Sequence, residues 1–420
     1  MITLTSNSHK AAAVVAIFTS LQFLVLLLFG YTPYNDSESY IYIARECISY
    51  GEPYPVKALL NDIPFLWNIG AINAVAASLA LTGSVVPLLI IYSLLKGLTA
   101  LLFYLLSRRL FGPKTALLCL LLYVLYPANY GESTSTLSEL PFMFFVMLGM
   151  WLSIVRSRYL LGGVMIAVAN WFRPMGIVFV VSVVIFIVYQ WKKGDKPLSA
   201  ASLFRKGGGF LFGYILMICL IGFCSMQRTG LFLYQSKTGW MNLSDYYTDN
   251  KRESLAVRDN ENWNVSQKDS AWCSMFIHWL GEHPGEYVSD IPRKIALTYV
   301  SDNVNMCVYT SDKTYDSLSL PTLIRQFPSY SAAQWIAVLN LVFYYLLLLT
   351  AAASLRRFSM KSHVLPLTCI LVGTLVLIII GYHGEARFHQ PFMPFFIMLS
   401  ALYLAGKSFP EILCCKHKSS

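Results

Sequence analysis

The sequence predicts an all-α polytopic membrane protein with about ten transmembrane helices, an interfacial first outer loop and one larger outer domain. Three observations carry this expectation. Of the 420 residues, 56% are hydrophobic and 13% charged, with a mean hydropathy of +0.54, whereas a soluble domain carries about 25% charged residues. Apolar runs near the spanning length of about 20 residues recur along most of the chain. Lys and Arg then divide unequally between the segments joining those runs. Seventeen fall in segments placed inside, and four (Arg45, Lys57, Arg173 and Arg387) in short outer ones. That asymmetry orients the bundle with its N-terminus in the cytoplasm. The net charge of +10 forms no single patch, so nucleic acid is not an expected partner.

The runs occupy residues 11–31, 84–107, 114–127, 136–155, 159–172, 174–191, 207–226, 332–354, 363–382 and 388–406. The first is too long for a signal-peptide core and lacks a small-residue cleavage site, so it reads as a retained span. Runs 114–127 and 159–172 are short and lean on their neighbours. Run 66–82 is rich in small residues, and spanning there would invert everything downstream. It is expected as a lipid-facing helix within the first outer loop, 32–83. Residues 227–331 are polar and form the outer domain, between transmembrane modules 1–226 and 332–420. Inside it, "AWCSMFIHWLGEHPGEYVSDIPRKIALTYV" reads as two amphipathic helices broken at Pro284 and resting on the membrane surface. The nine cysteines include no CxxC pair, which argues against a zinc or redox site; Cys273 and Cys307 both lie outside and are a possible pair.

Four features meet on the outer face. Asp36 and Glu38 stand in "YNDSESYIYIARECISYGEPY". Glu132 and Glu139 flank the fourth span in "YGESTSTLSELPF". Arg173 and Pro174 form the turn "NWFRPMG". His383, Glu385, Arg387 and His389 lie in "GYHGEARFHQPFMP". Each has an ordinary reading. Asp36 is a natural N-cap for a helix with Ile41, Ala44 and Ile48 on one face and Gly51 at its end. Arginines near helix ends snorkel. Glu139 is harder to set aside, because acids at the start of so apolar a stretch are rare and usually functional. Lys96, near the middle of the second span, either pairs with a buried carboxylate or holds the bundle together. The outer histidines show no metal-ligand spacing, so no metal is expected.

Carboxylates beside arginines at a membrane's outer edge suit an amphiphilic substrate with phosphate at headgroup level. Arginine pairs with phosphate, a carboxylate takes a proton from an incoming hydroxyl, and the leaving phosphate departs with its charge compensated.

These stretches resemble the GT-C superfamily of integral membrane glycosyltransferases, and within it the family 39 group of protein O-mannosyltransferases and lipid A aminoarabinose transferases. "NDSESYIYIARECISYGEPY" is similar to that group's first-loop pattern, and "SRRLFGPKTALLCLLLYVLYP" to its second inner loop and third span. "STLSELPFMFF" resembles the acidic start of the fourth span, and "WFRPMG" a recurring Arg-Pro turn. "FIHWLGEHPGEYVSDIPRKI" resembles the helix-Pro-helix segment, and "EARFHQPFMPFF" the closing span. The resemblance covers most of the chain outside 227–265.

It implies a polyprenyl-phosphate sugar donor presented from the outer leaflet, a hydroxyl acceptor (lipid, glycan or protein), surrounding membrane lipids and no cofactor. Asp36 takes the place of the general base. The family often has adjacent acids, whereas this chain has Asp-Ser-Glu, so Glu38 remains a positioning or substitute group. If helical, side chains two residues apart point about 200° from each other, so both cannot serve one hydroxyl. Arg387, and less directly Arg173, would hold the donor phosphate. Glu139, Glu385 and His383 would position substrate or an arginine. The expected location is a bacterial inner membrane, with the site facing the periplasm and both termini cytoplasmic.

Two alternatives compete. A polysaccharide polymerase or ligase with a pyrophosphate-linked donor would favour an outer loop richer in Arg and His. A lipid or glycan transporter would favour internal repeats and broken helices near the midplane. Neither pattern is visible, although Lys96 fits transport.

Overall fold

The computed structural model describes residues 6–33, 36–51, 68–193, 199–247, 251–302, 332–381 and 384–406. His383 and Cys307 lie outside them. Among the described residues there is no strand.

The helices are α1 (Ser6–Phe29), α2 (Ser37–Ser49), α3 (Ile69–Thr82), α4 (Val86–Phe111), α5 (Pro113–Leu125), α6 (Glu139–Met150), α7 (Tyr159–Phe172), α8 (Gly176–Lys193) and α9 (Ala200–Thr229). The polar segment follows with α10 (Gly239–Tyr247), α11 (Lys251–Arg258), α12 (Val265–Glu282) and α13 (Pro284–Tyr299). The chain closes with α14 (Ala332–Ser354), α15 (Met360–Ile380) and α16 (Met393–Leu404).

A helix stands at each of the ten expected runs. Five of them (α1, α4, α9, α14 and α15) are long and apolar enough to cross a membrane alone. Their outward residues are large and apolar: Leu27, Phe212, Leu349 and Leu371 are all more than half exposed. Water would penalise that surface and lipid does not. The chain is an integral membrane protein.

The shorter helices have local causes. α5 starts on Pro113, where a missing N–H costs nothing, and stops before the 3-10 turn Pro127–Tyr130. α6 is preceded by a break of 113° from the segment Pro127–Thr134. The connecting Ser133, Thr134, Ser135, Thr136 and Ser138 are all buried. Irregular backbone at this depth persists only inside protein, with its polar groups satisfied. Ser133 Oγ donates to Gln22 Oε1 (3.0 Å), and Gln22 Nε2 donates to the Asn129 carbonyl (3.1 Å). Thr32 N–H donates to the Thr134 carbonyl (2.9 Å), and Thr136 Oγ1 to the Ser37 carbonyl (3.2 Å). The break thus forms a platform on which the start of α2 is seated.

Lys96 closes the same platform. Its Nζ lies 2.5 Å from Glu132 Oε2 and 3.0 Å from Asn129 Oδ1. Lys96 thus pairs with a carboxylate, that of the partly buried Glu132.

Run 66–82 differs from expectation. α3 turns Ile69, Ala71, Ile72, Val75 and Ala76 into the protein, against α2 and its neighbours. Its exposed residues, Ala77, Ala80, Leu81 and Thr82, lie in its C-terminal half. Small residues here allow close packing; Gly70 lies against the Trp171 backbone, where a Cβ would sit 3.0 Å away. The helix pair broken at Pro284 forms as expected, with the boundary at His283. α13 then docks on the end of α15: Tyr287 Oη donates to the Ile379 carbonyl (2.9 Å), and Lys294 Nζ to that of Ile378 (3.2 Å). Both satisfy carbonyls that a helix C-terminus leaves without partners.

Candidate active site

α2 begins where the sequence puts its boundary, and Asp36 occupies the N-cap position. Yet the Asp36 side chain makes no capping hydrogen bond. It turns instead to Arg387, whose Nη1 donates to Asp36 Oδ2 at 3.0 Å. The ordinary capping role is therefore not the one its carboxylate plays.

Arg387 sits in the 3-10 segment Ala386–Phe392, ahead of α16. Three acids surround its guanidinium. Besides Asp36, its Nε lies 3.5 Å from Glu139 Oε1 and 3.7 Å from Glu385 Oε1. Burial on its own would make Arg387 easier to deprotonate, but Glu139, Asp36 and Glu385 together hold it above its ordinary value. Glu139 is 3% exposed and opens α6. Its Oε1 also lies 2.5 Å from Arg173 Nη1, so one buried carboxylate bridges two guanidiniums. Arg173 ends α7 in extended backbone at the Pro174 turn, with its charge above the Phe388 ring. The turn is pinned by Asn170, whose Oδ1 accepts from the Gly176 N–H at 3.2 Å.

Asp36, Arg173 and Arg387 line one cavity of about 310 Å³. Its polar wall adds Tyr40, Asn68, Ser236, Thr238 and Asn242; its apolar wall is Met175, Leu377, Ile380 and Phe388. Tyr40 is buried, and its hydroxyl accepts from Asn68 Nδ2 at 2.7 Å. Burial raises the Tyr40 hydroxyl far above its usual range, and Asp36 and Glu139 add to the effect. Asn68 Nδ2 also reaches Ser138 Oγ, which bonds Glu139.

The structure thus brings together Asp36, Glu139, Arg173, Arg387 and Glu385. Glu38 is the second residue of α2, exposed, and does not line the cavity. His383 falls outside the described residues. Among the described residues no group of three His, Cys, Asp or Glu side chains converges as a ligand set.

Sequence reasoning overlooked Tyr40, Asn68 and the Ser236–Asn242 wall. Only Tyr40 carried a signal, in the first-loop pattern. It also overlooked the pair behind Arg387. His389 Nε2 lies 3.1 Å from Asp302 Oδ1, both completely buried, while His389 Nδ1 stands 2.5 Å from the Thr298 carbonyl. The carbonyl can only accept, so Nδ1 carries a hydrogen and Nε2 faces the carboxylate. The pair clamps the end of α13 to the segment that carries Arg387.

No family model matches the sequence, and no curated protein matches it. Two crystal structures of the Archaeoglobus fulgidus oligosaccharyltransferase align with the chain. One is a complex with zinc and sulfate: TM-score 0.49, 13% identity, covering 94% of this chain and 49% of that one. The other is tethered through a disulfide to an acceptor peptide containing the NVT sequon: TM-score 0.50, 11% identity, covering 95% and 49%. The chain spans about half the length of that enzyme, and at this identity the likeness is one of fold alone. The chain shares its fold with that oligosaccharyltransferase over 95% of its length.

Proposed function

We propose that the chain is an inverting glycosyltransferase. It moves a sugar from a polyprenyl-phosphate donor to a hydroxyl acceptor at the outer face of a bacterial inner membrane. The observation that carries this reading is the shared cavity, in which a carboxylate and two arginines face an apolar wall at the end of α15. The shared fold and the first-loop resemblance support it.

The donor's phosphate lies against Arg387 and Arg173, and its chain leaves along the side of Leu377 and Ile380. Each guanidinium has five N–H donors, more than its carboxylate contacts use. Glu139 keeps both planes fixed by bridging them. Asp36 accepts the acceptor's proton as the acceptor oxygen attacks the anomeric carbon. The bond from that carbon to the phosphate oxygen breaks, and polyprenyl phosphate leaves with the electron pair. Inversion follows from the single displacement. A monophosphate leaving group bears less charge than a pyrophosphate, so two arginines suffice to compensate it. Asn68, Ser236, Thr238 and Asn242 are uncharged hydrogen-bonding groups of the kind that hold sugar hydroxyls.

The test is release of free polyprenyl phosphate by purified protein given polyprenyl-phosphate sugars one at a time, followed by mass spectrometry. Wild type is expected to release it, and Asp36→Asn to lose about 100-fold or more while still binding donor. Release that survives in Asp36→Asn but dies in Glu38→Gln would move the base to Glu38. No release from any donor would overturn the reading.

A further inference from the structure

The end of α15 away from the cavity carries a second cluster of polar groups. α15 has 21 residues, from Met360 to Ile380, so its two ends stand about 30 Å apart at 1.5 Å per residue. At its N-terminus, Ser354, Arg357, Ser359, Ser362 and His363 line a small cleft. His363 is 3% exposed, and its Nε2 is buried without a hydrogen-bond partner. Its Nδ1 is taken up locally. The Ser359 N–H approaches at 3.2 Å, Ser362 Oγ at 3.0 Å and the Ser359 carbonyl at 3.0 Å. Where Nδ1 accepts from the Ser359 N–H, the hydrogen resides on Nε2; where it donates to the Ser359 carbonyl, Nε2 carries none.

In the first of these tautomers three donors line one cleft: a buried imidazole N–H, a guanidinium and the first turn of a long helix. Helix N-termini attract anions because their N–H groups and dipole point outward. The cleft holds about 10 Å³, the space of one water-sized oxygen. One oxygen of a larger anion fits inside, leaving the rest on exposed Arg357. The surroundings indicate where such an anion resides. α15 is one of the five helices able to span a membrane. Phe358, Met360, Tyr403 and Leu404 around its start are all exposed. Apolar and aromatic residues beside arginines mark the headgroup level, and basic pockets between spans take anionic headgroups.

We infer that the Arg357–Ser359–His363 cleft binds the phosphate of an anionic phospholipid in the leaflet opposite the proposed transfer site. The experiment is native mass spectrometry of the full chain in detergent, titrated separately with phosphatidylglycerol, phosphatidylcholine and inorganic phosphate. Wild type is expected to retain one phosphatidylglycerol in preference to phosphatidylcholine. Arg357→Gln and His363→Gln should each weaken that retention about tenfold, as for loss of one charge-assisted hydrogen bond. Arg357 is exposed, so its variant reports even if His363→Gln is poorly folded. Inorganic phosphate bound with the same residue dependence, without lipid preference, would overturn the lipid assignment and leave a soluble-anion site. Equal lipid retention by wild type and Arg357→Gln, or occupancy by water only, would overturn the site.

Discussion

Arg387 and Asp36 stand 351 residues apart in sequence and 3.0 Å apart in space. The pair holds the proposed base at the cavity wall while keeping a guanidinium beside it. Arginine's planar fork reaches Asp36, Glu139 and Glu385 at once, a geometry that lysine's single ammonium cannot reproduce. We expect Arg387→Lys to lower donor turnover about tenfold and Arg387→Ala about 100-fold or more. The measurement is the rate of polyprenyl-phosphate release at saturating donor. Equal rates in wild type and Arg387→Ala would remove Arg387 from the reaction.

Glu139 is the second point of leverage. Its loss leaves two buried guanidiniums facing each other without their shared counter-charge. Breaking a buried ion pair from one side costs about 3–5 kcal/mol. Glu139→Gln should therefore unfold well below wild type in a detergent melt. Glu139→Gln combined with Arg173→Met should recover part of that loss, since one stranded charge has gone. A double variant no more stable than the single one would mean that the bridge is not an energetic unit.

The Asp302–His389 clamp gives a pH dependence. Burial raises the Asp302 carboxyl above its usual range, partly offset by the hydrogen bond and charge of His389. Tyr299 stacks on the imidazole, Tyr344 lies tilted against it, and the Asn340 amide donates to the Asp302 carbonyl. Below about pH 4, the ordinary aspartate value, the carboxyl is protonated both folded and unfolded. As pH rises from there to the raised folded value, the folded chain holds more protons than the unfolded one. This contribution to stability then falls. Asp302→Asn keeps a donor for His389 Nε2 without the titration. Wild type should lose stability relative to Asp302→Asn as pH rises from about 4 to 7. Parallel melting curves for the two proteins across that range would refute the assignment.

Close helix packing provides a test away from the site. A Cβ on Gly163 in α7 would run into the backbone carbonyl of Phe210 in α9, and one on Gly213 into that of Leu160. Backbone cannot step aside as a side chain can, so the helices must separate. Gly163→Ala should cost about 1–3 kcal/mol, read as a lower melting temperature. Gly207→Ala, where a Cβ meets open space, is the control and should be nearly neutral.

Helix positions were legible because partition into lipid is a property of each run by itself. The end of α2 before Gly51 and the break between α12 and α13 at Pro284 were equally local. The candidate acids and arginines were also readable, since charge at the edge of an apolar run is conspicuous. Their partners were not. Lys96 with Glu132, Glu139 between Arg173 and Arg387, and His389 against Asp302 depend on how distant helices pack, which no local pattern encodes. The same holds for α3, whose small residues suit lipid or a close neighbour equally. Composition thus determined which segments enter the membrane. Only the tertiary structure decided which charges meet there, because a buried charge is stabilised by whichever opposite charge the packed helices bring within reach.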